Sequence, residues 1–127
     1  MKMNILFVCS RNQKRSRTAE NIFRNRQDIS VKSAGFSIKS PVKISEALVL
    51  WADLILLMEY KHSKRLNELY RHIHLPVTKV LNIEDRFNYM DKELIDKLTE
   101  KTEEEIIKNR FIDNYQSDTE QRKEVQN

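Results

Sequence analysis

The fold is decided near the start of the chain, where residues 3–16 read MNILFVCSRNQKRS. The first half contains a short apolar run, Ile5 to Val8, without turn residues, which is typical of a buried strand in a parallel sheet. The second half is polar and leads into a segment where Ala19, Ile22 and Phe23 recur at helical spacing. These residues predict a strand, a polar loop and a helix, the unit from which parallel α/β sheets are built.

The same alternation continues along the rest of the chain. Apolar patterning predicts three further strands and three further helices, which begin at or near Ile29, Ser45, Leu54, Leu66, Val77 and Asp91. This order predicts an α/β fold with three layers: an open four-stranded parallel sheet, helices on both faces and right-handed crossovers. Ligands of such sheets bind beyond the carboxyl ends of the strands, so the loop after the first strand is the expected site.

Length and composition indicate one domain. The chain has 127 residues, of which 39% are apolar and 33% charged, with a single glycine, so collagen-like and wholly disordered classes are excluded. We expect the domain to span residues 1–115, and the polar segment 116–127 to be a frayed tail.

The charge balance and the cysteine count limit the partners and the compartment. Lys and Arg number 23 against 19 Asp and Glu, a net charge of +4 that favours anionic partners. Aromatic residues are not interleaved with the basic ones, so nucleic acid is not expected as a partner. Cys9 is the only cysteine, which excludes an intrachain disulfide and favours a reducing, cytoplasmic setting. No apolar stretch is long enough for a signal peptide core or a membrane span, so no membrane association is expected.

The loop from Cys9 to Ser16 has the chemistry of an anion cradle. Consecutive backbone N–H groups and the positive end of the following helix can surround a tetrahedral dianion, while Arg15 can bind two of its oxygens. The same groups favour the thiolate of Cys9, a nucleophile that would lie beneath the phosphorus and accept a hydrogen bond from Ser16. The predicted phosphate-binding residues of this loop are Ser10, Arg11, Asn12, Gln13, Lys14 and Ser16.

Several segments together resemble the low-molecular-weight protein tyrosine phosphatase family. They are Val8-Cys9 through Arg15-Ser16, Ser33-Ala34-Gly35, Ala52-Asp53-Leu54-Ile55 with Met58-Glu59, and Leu81 to Met90. The resemblance covers roughly residues 3 to 111. Rhodanese-like and other phosphatase folds also use a cysteine-based anion loop, but there the cysteine comes late in the domain, whereas Cys9 follows the first strand.

The resemblance implies a cysteine-dependent phosphatase that needs neither a metal nor a cofactor. Cys9 would attack a phosphorylated protein or a small phosphomonoester and form a phosphocysteine, while Arg15 binds the phosphoryl oxygens. Asp85 would be the general acid, with Glu84 as a substitute, and Phe87 and Tyr89 would flank the mouth of the pocket. Inorganic phosphate or sulfate is expected to occupy the loop as well. Asp91 is better explained as a helix cap.

The chain also departs from the family pattern. Arg11 stands where the family loop has a glycine, and a positive φ there would be costly and distort the cradle. The proline that usually follows the general acid is Arg86 here. These departures leave open a catalytically weak or inactive module that binds phosphate or phosphoproteins on the same fold. A single cysteine excludes the internal electron relay of related arsenate reductases.

Three histidines could suggest a metal site. They are His62, His72 and His74, and no cysteine or carboxylate cluster accompanies them. We interpret them as ordinary, partly exposed side chains.

Overall fold

A computed structural model describes residues 2–126 of the chain, and the side chains of residues 2–111. Strands and helices alternate along it as predicted: β1 (Met3–Cys9), α1 (Arg15–Phe23), β2 (Ile29–Gly35), α2 (Glu46–Trp51), β3 (Leu54–Leu57), α3 (Tyr60–Leu69), β4 (Val77–Val80) and α4 (Lys92–Gln126). The order of strands in the sheet is β2-β1-β3-β4, and every neighbouring pair is parallel. The predicted α/β class and four-stranded parallel sheet are confirmed.

The strand β1 lies at the centre of the sheet. Its pairing with β2 runs from Met3 opposite Ile29 to Cys9 opposite Gly35, and β3 pairs on its other side. Because helices cover both faces, side chains on both faces of β1 are buried, which explains its continuous apolar run. The two cores separate by alternation along the strand: Ile5 and Phe7 face α1 and α4, while Leu6 and Val8 face α2 and α3.

The two residues that were predicted to cap helices, Ser45 and Asp91, make different hydrogen bonds in the structure. The Ser45 hydroxyl accepts a hydrogen bond from the Leu48 N–H (3.2 Å), so it caps α2 as expected. Asp91 directly precedes α4, but its carboxylate accepts from the N–H of Asn88 (2.7 Å), which ties down the turn before the helix. The helix α4 includes most of the segment 116–127, and the boundary at residue 115 stays a prediction.

The apolar pattern from Val77 to Ile83 predicts a longer fourth strand than the structure contains. The strand ends at Val80, and Asn82 adopts a left-handed conformation with φ of 58° that no regular strand accommodates. Leu81 and Ile83 nevertheless donate hydrogen bonds to the carbonyls of Leu57 and Met58 (both 2.8 Å). The chain is thereby carried past the carboxyl end of β3, toward the loop that follows β1.

In the described part of the chain, no helix combines the length and the apolar character that a membrane span needs.

Candidate active site

Cys9 ends β1 and begins the loop that leads into α1. Its side chain is only 3% exposed, and two hydrogen-bond donors point at the sulfur. The backbone N–H of Asn12 lies 3.2 Å from Sγ, and the hydroxyl oxygen of Ser16 lies 3.0 Å from it. Donors at both positions can stabilise negative charge on the sulfur, because a hydrogen bond to a charged acceptor is stronger than one to a neutral acceptor.

Asn12 determines the shape of the loop. Its φ is 53°, and Arg11 has no such left-handed conformation, so the predicted cost at Arg11 does not arise. Asparagine tolerates this conformation better than most residues, since its short polar side chain can bond locally. The Asn12 amide donates to Ser16 Oγ (2.8 Å) and Ser33 Oγ (2.9 Å), and its oxygen accepts from the Val42 N–H (3.2 Å). The loop is therefore held by its own buried side chain.

The direction of these hydrogen bonds orients the Ser16 hydroxyl. Because Ser16 Oγ accepts from the Asn12 amide, its own hydrogen is available to the Cys9 sulfur. Ser33 accepts from the same amide and donates to the carboxylate of Glu20 on α1. The sequence did not identify Glu20, because an acidic residue on a helix surface carries no local signal of such a role.

Gly35 allows the end of β2 to approach the loop closely. A Cβ atom at this position would lie 2.7 Å from the Asn12 backbone nitrogen and 2.8 Å from the Arg11 carbonyl carbon. Its φ is not positive, so the requirement for glycine is one of space. The single glycine of the chain therefore lies where two backbones meet behind the anion loop.

Arg15 is the most deeply buried charged side chain at the site, with 2% exposure. Its Nη1 donates to Glu59 Oε1 (2.6 Å) and to the carbonyl of Ile83 (2.7 Å), and its Nε lies 3.7 Å from Asp85 Oδ1. Burial alone would raise the pKa of Glu59, but hydrogen bonds and charges from Lys61 and Arg15 outweigh it and lower that pKa. Glu59 is therefore an anion that fixes the Arg15 side chain.

Glu59 was not among the predicted site residues, although the sequence contains a signal for it. The residue comes two positions after the end of β3, and the carboxyl ends of parallel strands meet at one edge of a sheet. A carboxylate at that position can reach an arginine that follows the neighbouring strand.

A cavity of about 80 Å³ opens above Cys9. Its lining residues are Cys9, Ser10, Arg11, Gln13, Lys14, Arg15 and Asp85. Three cationic side chains and one carboxylate therefore surround a space about as large as a small ion, and this excess of positive charge favours an anionic ligand. Asn12 and Ser16, which the sequence placed among the phosphate-binding residues, are buried behind the loop.

The two candidate acids occupy different positions. Asp85 lines the cavity, and its side chain stays 60% exposed, so a ligand can approach it. Glu84 does not line the cavity and pairs with Arg86 (3.2 Å) and Lys97 (4.0 Å). The geometry favours Asp85 over Glu84.

The two predicted aromatic walls lie elsewhere. Phe87 is 3% exposed and packs in the core beside α4, so its assignment to the pocket mouth is wrong. Its apolar ring gains more from that core than from a wet rim. Tyr89 lines a separate cavity behind the loop, where its hydroxyl accepts from the Asn21 amide (2.7 Å). The rim of the Cys9 cavity is consequently cationic and polar.

His62 also differs from its predicted state as a partly exposed side chain. It is 3% exposed, and burial, followed by the charge of Arg15, lowers its pKa to about 4. Its Nε2 lies 3.0 Å from the hydroxyl of Ser10. Among the residues with described side chains, no three His, Cys, Asp or Glu side chains form a group that could hold a metal ion.

Comparison with solved structures identifies proteins with the same architecture. The low-molecular-weight protein tyrosine phosphatase from T. tengcongensis is 21% identical, with a TM-score of 0.65, and the match covers 85% of this chain and 99% of that chain. The tyrosine phosphatase Wzb from Escherichia coli K30, in complex with phosphate, is 20% identical, with a TM-score of 0.65 and coverage of 85% and 99%.

A third similar structure is the YwlE arginine phosphatase from Geobacillus stearothermophilus, which is 22% identical. Its TM-score is 0.59, and the match covers 91% of this chain and 94% of that chain. Protein-family models and curated proteins give no match to this chain. The resemblance inferred from the sequence is thus confirmed at the level of architecture: the chain has the fold of the low-molecular-weight protein tyrosine phosphatases.

Proposed function

We propose that the protein is a phosphatase that hydrolyses phosphomonoesters through a phosphocysteine on Cys9, with phosphotyrosine in proteins as the first candidate substrate. The observation that carries the proposal is the cavity in which the Cys9 sulfur, the Arg15 guanidinium and the Asp85 carboxyl group converge. Nucleophile, anion-binding group and acid are the three parts that the transfer of a phosphoryl group from an ester requires.

In the first step the Cys9 thiolate attacks phosphorus. A bond between Sγ and phosphorus forms while the bond from phosphorus to the ester oxygen breaks, and the Asp85 carboxylic acid gives its proton to that leaving oxygen. The Arg15 guanidinium and the loop N–H groups bind the other phosphoryl oxygens, where negative charge is held in the transition state. Because Glu59 and the Ile83 carbonyl already fix Arg15, little reorganisation is needed when the substrate binds.

In the second step water hydrolyses the phosphocysteine. The Asp85 carboxylate, now deprotonated, takes a proton from the attacking water, and the bond between phosphorus and Sγ breaks. The leaving thiolate is stabilised by the Ser16 hydroxyl and the Asn12 N–H, which lie 3.0 and 3.2 Å from the sulfur. The products are inorganic phosphate and the free enzyme, with Asp85 protonated again for the next cycle.

The rim of the cavity favours acidic substrates, and the proposed mechanism requires a reduced cysteine. Arg11 and Lys14 are exposed beside the cavity and would attract a phosphorylated protein whose phosphoresidue has acidic neighbours. Phosphate or sulfate would bind as a competing ion. The mechanism needs Cys9 as a thiol, which is consistent with a cytoplasmic protein.

The proposal is tested by hydrolysis of para-nitrophenyl phosphate in metal-free buffer between about pH 5 and 8. We expect no activity in Cys9→Ser and a strong loss of activity in Asp85→Asn. Glu84→Gln is the matched control and should retain activity. No activity above the Cys9→Ser blank, in a folded protein that binds phosphate, would favour the binding module.

A second comparison addresses the class of phosphoresidue. Peptides that carry phosphotyrosine or phosphoarginine at the same position are offered to the protein, since structures of a tyrosine and of an arginine phosphatase both share its fold. Faster hydrolysis of the phosphotyrosine peptide is expected, and the opposite preference would replace that part of the proposal.

A further inference from the structure

The first turn of α3 contacts the anion loop at two points. The helix begins with a capping box, in which the Glu59 carboxylate accepts from the backbone N–H of His62 and the His62 ring accepts from the backbone N–H of Glu59. The outer atoms of the same two side chains reach the site: Glu59 binds Arg15, and His62 binds Ser10. A feature that starts a helix therefore also supports the cavity.

The capping box fixes which nitrogen of His62 carries the proton. Nδ1 lies 3.1 Å from the Glu59 backbone nitrogen, a donor, so Nδ1 must be an acceptor. In a neutral ring the proton is then on Nε2, 3.0 Å from Ser10 Oγ. Burial and the stacked ring of Phe36, with centroids 5.5 Å apart, hold the imidazole in this position.

This assignment determines what the Ser10 hydroxyl can do. Since Ser10 Oγ accepts from His62 Nε2, its own hydrogen must go to a different acceptor. Ser10 lines the cavity above Cys9, where a bound anion would supply that acceptor. A serine without this partner could instead turn its hydrogen toward the protein.

We propose that His62 is a positioning residue that directs the Ser10 hydroxyl, as a hydrogen-bond donor, onto a phosphoryl oxygen in the cavity. This inference rests on the proposed function for its effect on turnover, but its effect on the binding of inorganic phosphate does not depend on catalysis. The first turn of α3 thus sets two donors of the anion site, Arg15 through Glu59 and Ser10 through His62.

The test uses two substitutions that separate the ring nitrogens. His62→Asn can place an acceptor near the Nδ1 position and keep the capping box, but it cannot reach Ser10. His62→Gln can place an amide donor near the Nε2 position. The dissociation constant of inorganic phosphate is measured calorimetrically for the wild type, both variants, Ser10→Ala and the double variant Ser10→Ala/His62→Asn. His72→Asn, at an exposed histidine, is the matched control.

Ser10→Ala should weaken phosphate binding roughly tenfold or more, the usual effect of losing a hydrogen bond to a charged group. His62→Asn should weaken it by several-fold, His62→Gln should restore most of the loss, and the double variant should bind like Ser10→Ala alone. Additive losses in the double variant, or unchanged binding in Ser10→Ala, would overturn the proposal.

A measurement on the wild type keeps the proposal testable if a variant does not fold. The nitrogen chemical shifts of the His62 ring should show the Nε2-protonated neutral form at neutral pH. A ring protonated on Nδ1, or a charged ring, would overturn the proposal. If phosphate binding follows the expected order while the wild type hydrolyses nothing, the proposed function fails and this inference stands.

Discussion

The contact between Arg15 and Glu59 gives a sharp prediction, because Arg15 is buried and Glu59 is its only carboxylate partner within 3 Å among the described side chains. Glu59→Ala removes a hydrogen bond of 2.6 Å and leaves a guanidinium with 2% exposure. Loss of one partner of a fully buried pair costs about 3 to 5 kcal/mol. The Ile83 carbonyl remains as an acceptor and the Glu59 side chain is 22% exposed. We therefore expect Glu59→Ala to lower the free energy of unfolding by an amount at the lower end of this range, about 3 kcal/mol. Glu59→Gln keeps an acceptor and should cost less, about 1 to 2 kcal/mol.

Urea unfolding followed by the fluorescence of Trp51, the only tryptophan, measures these losses. The matched control is Glu68→Gln, an exposed residue of α3, which should change the free energy of unfolding by less than about 0.5 kcal/mol. Both Glu59 variants should also lower kcat/KM, since Arg15 loses its fixed orientation. Stabilities of Glu59→Ala and Glu59→Gln within the range of the control would show that Glu59 does not hold Arg15.

Three further predictions concern the surroundings of the loop. Gly35→Ala should abolish phosphate binding or destabilise the protein, because the added Cβ would overlap the backbone of Asn12 and Arg11. A variant with both the phosphate affinity and the stability in urea of the wild type would contradict this. Asn12→Ala should be less stable than Asn12→Gly by about 1 kcal/mol in urea, since only glycine adopts a φ of 53° freely, and equal stabilities would show that the conformation is not held. The free energy of unfolding should decrease as pH falls from 6.5 toward 4, because the unfolded state protonates His62 while the native pKa of about 4 keeps it neutral. His62→Gln should make this decrease shallower by at most about 3 kcal/mol over that range, and parallel curves would contradict the assignment.

The fold was predictable because each strand carries its own local pattern. The run Ile5 to Val8 is apolar at every position only because helices cover both faces of the sheet, and Leu54 to Leu57 repeats the pattern in the neighbouring strand. The end of β4 was not predictable, since Leu81 and Ile83 are apolar and buried without belonging to the strand. In this segment, residues that are buried outside the strand are as apolar as residues that belong to it.

The site was predictable where residues are close in sequence. The loop from Cys9 to Ser16 is one continuous segment, so its residue types and spacing predict an anion cradle directly. Glu59 and His62 contact Arg15 and Ser10 of this loop from the start of α3, and these contacts depend on the sheet order. The prediction that Phe87 flanks the pocket mouth was wrong for a related reason. Phe87 lies two positions after Asp85 in sequence, but its ring points into the core.

Catalysis through Cys9 is tested most directly by a search for the phosphocysteine itself. The Asp85→Asn protein is mixed with para-nitrophenyl phosphate, quenched during turnover and digested, and the peptide that contains Cys9 is examined by mass spectrometry. Slowed hydrolysis of the intermediate should let it accumulate, so we expect one added phosphoryl group on Cys9 that is absent from Cys9→Ser. Turnover in the wild type without any phosphoryl group on Cys9, or turnover that persists in Cys9→Ser, would contradict this mechanism.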